Sequence, residues 1–143
     1  MGIAVVTGAA SGIGSAVTRR LANRGPQVHL VDVAPTGDLA AELAAIGHIA
    51  DVASAEDMER VACSAEEAEI VCLNAGIVGA SLGVPWEVPI LERQRTWAVN
   101  VLGVVNGLQA SPLGCRRVAL ASAHWPPRTT AGFSWCLLSG RPR

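Results

Sequence analysis

The 143-residue sequence contains no tyrosine and no lysine. All eleven basic residues are therefore arginines, and a site that requires a phenolic hydroxyl or a lysine amine is excluded within this chain. Charge is also scarce, because 16% of the residues are charged and the formal net charge is −1. This balance gives no general reason to expect binding to nucleic acid or to a membrane surface.

Long apolar segments and paired cysteine motifs are missing as well. No segment supplies the roughly twenty uncharged apolar residues of a bilayer-spanning helix, and the first predicted strand begins too early to leave room for a signal peptide. The cysteines show neither CxxC nor zinc-ligand spacing, so we expect reduced thiols, no metal site and a cytoplasmic location. They are Cys63, Cys72, Cys115 and Cys136.

The glycine-rich segment at residues 7–14, TGAASGIG, carries the strongest signal. An apolar run at residues 3–6 predicts a buried strand before it, and Ile13, Val17 and Leu21 predict a helix packed on a sheet after it. Strand, turn and helix in this order place free N–H groups and the positive end of the helix dipole at the turn, which favours a phosphate. An ordinary glycine turn is the alternative, but the flanking elements and a following acid favour nucleotide binding.

That acid is Asp32, near the end of a second predicted strand at residues 27–33. In a βαβ nucleotide fold, a carboxylate at about this distance from the glycines accepts hydrogen bonds from the adenosine ribose. It would repel a 2′-phosphate, and no basic residue lies within residues 7–14 or just after Asp32, so we predict NAD rather than NADP. The alternative is that Asp32 is a helix N-cap or a loop acid.

Strands and helices alternate along the rest of the chain to about residue 121. Further strands are predicted at residues 48–50, 69–73 and 117–121, and the intervals predict a doubly wound parallel sheet of about five strands. Ligands of such sheets bind at the carboxyl ends of the strands, where Asp51 and residues 74–76 would join the glycine turn and Asp32. In the helix after the second strand, the predicted buried positions are Leu39, Leu43 and Ile46. In the helix predicted at residues 90–109, they are Val101, Leu102, Val105 and Leu108.

A mid-helix asparagine and the C-terminal stretch stand apart from this pattern. Asn100 lies among apolar residues of a helix predicted at residues 90–109, so it is either a structural bridge or part of a site. Residues 124–143 show no helical or strand period, and prolines interrupt them. We therefore predict an α/β domain at residues 1–123 and an irregular tail at residues 124–143.

Together, these segments resemble the short-chain dehydrogenase/reductase family in its NAD-binding form, over residues 2–122. The resemblance is carried by residues 7–14, Asp32, Asp51-Val52, Asn74-Ala75-Gly76 and Asn100-Val101-Leu102-Gly103. It implies a Rossmann-like fold and NAD contacts at Gly8, Ser11, Gly12, Ile13, Gly14, Asp32, Asp51, Val52, Asn74, Ala75 and Gly76. It also implies a catalytic role for Asn100, which would hold a water, and for Ser122, which would bind the substrate oxygen.

The sequence departs from the family at two residues, the tyrosine that exchanges the proton and the lysine that assists the exchange. The offsets of the family's tyrosine and lysine fall on Trp135 and Ser139, and the chain stops well short of the family's length. The sheet is therefore expected to be incomplete. The resemblance implies an NAD-dependent oxidoreductase acting on a secondary alcohol or ketone, although turnover by this chain is not expected. The alternative is a non-catalytic NAD-binding fragment that forms a homo-oligomer or pairs with a full-length relative.

Two further hypotheses are weaker. Seven arginines and no acid lie between Arg93 and Arg143, which would suit an RNA-binding surface, but no aromatic residues alternate with them in a basic stripe. Ser122 and His124 could suggest a hydrolase, but the segment contains no nucleophile elbow.

Overall fold

The computed structural model describes residues 2–66, 68–79, 84 and 86–111, together with the backbone of residues 117–120 and 136–139. Strands and helices alternate through most of this chain. The strands are β1 (Ile3–Thr7), β2 (Gln27–Asp32), β3 (Ile46–Ile49), β4 (Ala68–Leu73), β5 (Arg117–Leu120) and β6 (Cys136–Ser139). The α-helices are α1 (Gly12–Ala22), α2 (Gly37–Glu42), α3 (Ala55–Ser64), α4 (Ile90–Trp97) and α5 (Gly103–Ala110), and a π-helical segment, Ala98–Leu102, joins the last two.

The six strands form one sheet in the order β3-β2-β1-β4-β5-β6. Strands β1 to β5 pair in parallel, which confirms the predicted doubly wound α/β fold. The order reverses beside β1, since the chain first builds outward through β2 and β3 and then returns to β4. In open parallel sheets, ligands bind outside the carboxyl ends of the strands at such a reversal.

Side chains of β1 alternate between two apolar cores, one on each face of the sheet. Val5 joins a core with Met58 and Val61 of α3, whereas Val6 joins the opposite core. Val17 and Leu21 of α1 pack against that second core, as the helical spacing predicts. The sheet is thus covered on both sides, which is why its central strands read as continuous apolar runs.

Strand β6 corrects the prediction that residues 124–143 contain no regular element. Its backbone pairs antiparallel with β5, in a register that sets Val118 opposite Leu138. A run as short as Cys136–Ser139 has too few residues to show a period, so the sequence gives no signal that separates it from its irregular neighbours. The rest of that predicted tail lies outside the described residues.

One predicted helix ends earlier than expected. Helix α2 stops at Glu42, and Ile46, predicted as part of its buried face, instead begins β3 with 44% of its surface exposed. Strand β3 accordingly starts two residues before the predicted boundary at residue 48. Leu39 does pack against the core, as predicted.

The helix predicted at residues 90–109 is helical throughout but faces the opposite way. Val101, Leu102, Val105 and Leu108, predicted as core residues, are 36–44% exposed. The buried residues are Gly103 and Gly107, where the helix backbone contacts the side chains of Val52 and Leu73. Val99, Val104 and Ala110 pack against the core on the same side as these glycines, and hydrophobic spacing alone does not show which of the apolar residues face the sheet. None of the helices in the described part of the chain is both long and apolar enough to cross a bilayer.

Buried His29 of β2 and half-buried His48 of β3 form a pair of histidines. His29 is 2% exposed, and its Nδ1 lies 3.0 Å from Nε2 of His48, with the rings stacked at a centroid distance of 5.1 Å. Burial and then the adjacent His48 ring lower the pKa of His29. Burial and then the charge of Arg60 lower the pKa of His48. The pair is therefore accommodated in its neutral form.

We expect the free energy of unfolding to fall when the pH is lowered below about 6.5, the ordinary histidine pKa. Since both folded-state pKa values lie below that value, the unfolded chain binds more protons than the folded chain there. This stability is present above about pH 6.5 and is lost as the pH falls through the folded-state values. Urea unfolding between about pH 8 and pH 5.5 measures the loss. In His48→Gln the loss should be smaller, and an equal loss in that variant would contradict the assignment.

Candidate functional site

A cleft of about 500 Å³ lies at the carboxyl ends of the central strands. This volume is within the range of small-molecule sites. Four stretches of chain line the cleft: the glycine turn, residues 31–33, residues 50–53 and residues 74–77. One helix face completes the lining with Arg95, Ala98 and Val99. The cleft is therefore located at the reversal of strand order, where the fold itself favours a ligand.

The glycine turn between β1 and α1 is built for close approach of a ligand. Gly8 and Gly12 adopt φ values of +66° and +54°, in the left-handed region that favours glycine. Ser11 precedes the helix, but its hydroxyl makes no capping bond to it, and the first turn of α1 contains no acid. The free N–H groups of that turn therefore keep their affinity for an anion.

Thr7 and Asn74 join the ends of β1 and β4 beneath the turn. The hydroxyl Oγ1 of Thr7 accepts hydrogen bonds from the N–H groups of Asn74 and Ala75, at 2.9 and 3.0 Å. In return, Nδ2 of Asn74 donates to the carbonyls of Thr7 and Gly8, at 3.1 and 3.3 Å. These bonds bridge segments more than 60 residues apart in sequence. They fix the shape of the turn where β1 ends.

Asp32 is held in place by two backbone N–H groups. Its Oδ2 accepts a bond of 2.9 Å from the Ala10 N–H in the glycine turn, and its Oδ1 accepts one of 3.0 Å from the Ala34 N–H. The carboxylate lines the cleft while it steadies the turn. The alternative that Asp32 is a helix N-cap does not agree with this geometry, because the N-cap of α2 is Thr36.

The turn at residues 51–53 forms a second acidic wall of the cleft. Asp51 accepts a bond of 2.9 Å from the Ala53 N–H through Oδ1, and its own N–H donates to Oδ2 of Asp57 at 2.8 Å. That bond, followed by one from Arg60, holds the pKa of Asp57 below its usual value. Ser54 caps α3 by accepting a hydrogen bond from the Asp57 N–H at 3.2 Å. The turn is therefore anchored to the start of α3.

Asn100 lies in the π-helical segment, and its side chain hydrogen-bonds the backbone of the chain after β4. Its Oδ1 accepts from the Ile77 N–H at 2.8 Å, and its Nδ2 donates to the Ile77 carbonyl at 2.9 Å. Asn100 is exposed, so it is not the buried polar group expected among apolar neighbours. Of the two predicted roles, the structure shows the bridge. π-Helical turns occur often at functional sites.

The structure brings together most of the residues predicted to contact a nucleotide. All of those named from the sequence line the cleft except Gly14, which lies buried under the turn, against the Gly8 carbonyl. Ser122 and Trp135 lie outside the described residues. Ser139 lies in β6, of which only the backbone is described.

The sequence did not identify the helical wall of the cleft. Arg95, Ala98 and Val99 line it from α4 and the π-helical segment, and Arg95 is the only basic residue among its described lining residues. Their spacing of three and four residues is a helical signal, but nothing in the sequence shows which face meets the sheet. No group of three or more His, Cys, Asp or Glu side chains in the described ranges is placed to hold a metal ion.

Comparison with known proteins gives a consistent result. Residues 2–112 match the family model described as short chain dehydrogenase. The chain is 41% identical over 119 residues to the 1-deoxy-11-beta-hydroxypentalenate dehydrogenase of Streptomyces avermitilis. This match covers 75% of this chain and 44% of that protein. It is 42% identical over 112 residues to the cis-4-hydroxycyclohexanecarboxylate dehydrogenase of Sinomonas cyclohexanicum, covering 71% of this chain and 45% of that protein.

Solved structures agree with the sequence comparison. The crystal structure of a short chain dehydrogenase/reductase from Burkholderia phymatum in complex with NAD superimposes with a TM-score of 0.71 and 31% identity. The match covers 76% of this chain and 42% of that chain. The present chain therefore spans less than half the length of these proteins.

We expect Gly14→Ala to reduce stability by about 1–3 kcal/mol, the usual cost of overpacking. A Cβ there would overlap the Gly8 carbonyl oxygen and lie 2.7 Å from Nδ2 of Asn74. Gly37→Ala is the matched control, because a Cβ at that helical glycine meets nothing within 4 Å. Urea unfolding of both variants measures the difference. Equal stability of the two variants would show that the turn yields at no cost.

Proposed function

We propose, from the premise that this chain belongs to the short-chain dehydrogenase family, that its cleft binds NAD(H) as the nucleotide-binding part of an oxidoreductase. The observation that carries the proposal is the convergence of the glycine turn, Asp32 and the 51–53 turn on one cleft. The cleft offers a helix end suited to an anion, then a carboxylate suited to a ribose, then a second acidic wall. This matches the order of the diphosphate, the ribose and the adenine along a dinucleotide.

Each part of the cleft suits one part of the cofactor. The N–H groups at the start of α1, free of acidic neighbours in that turn, would hold the diphosphate. Asp32 would accept bonds from the adenosine ribose, and the turn at Asp51 and Val52 would meet the adenine. Asn74, Ala75 and Gly76 would form the floor of the cleft next to the cofactor.

The charge of the cleft supports a preference for NAD over NADP. Asp32 and Asp51 both line it, and the one base among its described lining residues, Arg95, lies on the helix and not beside Asp32 in the sequence. A 2′-phosphate bound near Asp32 would meet a carboxylate that is held in position by two N–H groups. Repulsion would therefore oppose NADP.

The proposed reaction is hydride exchange with a secondary alcohol or ketone, the chemistry that the nicotinamide supplies when bound. Two relatives act, by name, on hydroxylated carboxylates, and Arg95 is a cation in the cleft that suits such an acid. Ser122 would hydrogen-bond the reacting oxygen, and Asn100 would hold a water. A serine hydroxyl is too weak an acid to replace an activated tyrosine, and the chain has neither tyrosine nor lysine.

The absence of those two residues favours a second candidate function, NAD binding without turnover by this chain alone. A homo-oligomer, or a complex with a longer relative, belongs to this candidate. A cytoplasmic location is part of the proposal, since the cysteine spacing is that of reduced thiols.

We expect the wild-type chain to bind NAD in calorimetric titration and to prefer it over NADP. In Asp32→Ala the affinity for NAD should fall about tenfold or more, because hydrogen bonds to a charged group are worth about 1.5–3 kcal/mol. The preference of Asp32→Ala for NAD over NADP should be smaller than that of the wild type. Asp38→Ala removes the same charge from the first turn of α2 and should leave both affinities unchanged. Equal affinities for NAD and NADP in the wild type would refute a role for Asp32 in cofactor choice.

We expect no turnover at a rate comparable to that of full-length relatives. General acid–base assistance is worth about 10²–10⁴-fold, and the chain contains no tyrosine to provide it. NADH absorbance, followed across a panel of cyclic hydroxy-carboxylates and ketones, measures the rate. Full activity of the purified 143-residue chain, lost in Ser122→Ala, would contradict this expectation and would establish that Ser122 acts without the missing pair.

A further inference from the structure

Helix α5 makes two contacts with one residue of the cleft wall, Val52. Nδ2 of Asn106 donates a hydrogen bond of 2.9 Å to the Val52 carbonyl, across 54 residues of sequence. One turn earlier, Gly103 lies so close that a Cβ there would be 2.6 Å from Cγ2 of Val52. Neither Gly103 nor Asn106 lines the cleft, but Val52 does. Helix α5 thus contacts Val52 on the side of the wall that faces away from the cleft.

The same helical run also forms the wall itself. Val99 lines the cleft and packs against the core that contains Val52. Asn106 and Gly103 therefore fix how far the 51–53 turn stands from the helix. The turn is also fixed on its other side, where the Asp51 N–H donates to Asp57 at the start of α3.

One oxygen of Asp51 remains for a ligand. Oδ1 accepts from the Ala53 N–H, whereas Oδ2 makes no hydrogen bond within the described part of the chain. Asp51 is exposed and lines the cleft. A carboxylate oxygen in this position suits a ligand donor such as an exocyclic amino group of a nucleotide base. Its position depends on the turn that Val52 anchors.

We propose that Asn106 is a positioning residue for recognition of the nucleotide base. By holding the Val52 carbonyl, it keeps Asp51 where its free oxygen accepts a hydrogen bond from the amino group of adenine. Asn106 itself touches no cofactor in this arrangement. The inference rests on the proposed NAD binding, and it adds a residue that acts from the far side of the cleft wall.

The test compares NAD with nicotinamide hypoxanthine dinucleotide, which carries a carbonyl oxygen in place of the amino group. The wild type should bind NAD about tenfold more tightly or better, a difference of about 1.4 kcal/mol or more. In Asn106→Asp, a carboxylate faces the Val52 carbonyl and repels it, so the preference should fall to about threefold or less. Isothermal titration with both dinucleotides gives the ratio for each variant.

The matched control is Gln109→Glu. It makes the same amide-to-carboxylate change on the same helix, at an exposed residue, and should keep the wild-type preference. Asn106→Ala removes the donor without adding a charge, and it provides the same comparison where Asn106→Asp does not fold. Because the ratio compares two ligands on one variant, a general loss of stability does not change it.

The outcomes separate this inference from the proposed function. A wild type that binds neither dinucleotide overturns both. A wild type that binds NAD without a preference for adenine overturns the positioning role alone. An unchanged ratio in Asn106→Asp and Asn106→Ala also overturns it alone. A ratio lost in both Asn106 variants and kept in Gln109→Glu supports it.

Discussion

The hydrogen bonds between Thr7 and Asn74 are the constraint on which the rest of the cleft depends. They join the carboxyl ends of the two strands at the centre of the sheet, and they use both the side chain and the backbone of each residue. The glycine turn leaves β1 and the 74–77 stretch leaves β4, so both start from this junction. Asp32 then bonds to the turn, and Asn100 bonds to Ile77, so these two walls are attached to segments that the junction has already fixed.

The residues that suit a nucleotide lie apart in the sequence from the positions that the family resemblance assigns to proton exchange. The groups suited to NAD lie at the ends of β1 to β4, within the residues that match the family model. The groups that exchange the proton in the family fall beyond them, at positions where this chain has tryptophan and serine. A fold of this kind can keep one property without the other, because the sheet and the glycine turn do not depend on a tyrosine or a lysine for their packing.

The sequence predicts the sheet and most of the residues that line the cleft, because each leaves a local pattern. The apolar run before residues 7–14, the spacing of Val17 and Leu21, and the acid at the end of β2 are each visible within a short window. The position of the long helix is predicted correctly and its orientation wrongly, since its packing face contains Gly103 and Gly107 with Val99 and Val104, whereas the predicted core residues are exposed. Arg95 and Asn106 were missed for the same reason. The role of Asn106 depends on a hydrogen bond to Val52, 54 positions away, and that of Arg95 depends on which face of the helix meets the cleft.

The π-helical segment makes the winding of this helix matter more than its surface composition. It changes the rotation between the part that lines the cleft, at Ala98 and Val99, and the part that holds Val52, at Gly103 and Asn106. An ordinary α-helix advances by about 100° per residue, so the same five residues wound as an α-helix would turn Gly103 and Asn106 onto a different face from the one that meets Val52. Substitutions on the exposed surface of this helix would therefore be tolerated as long as they keep the π-helical winding at residues 98–102.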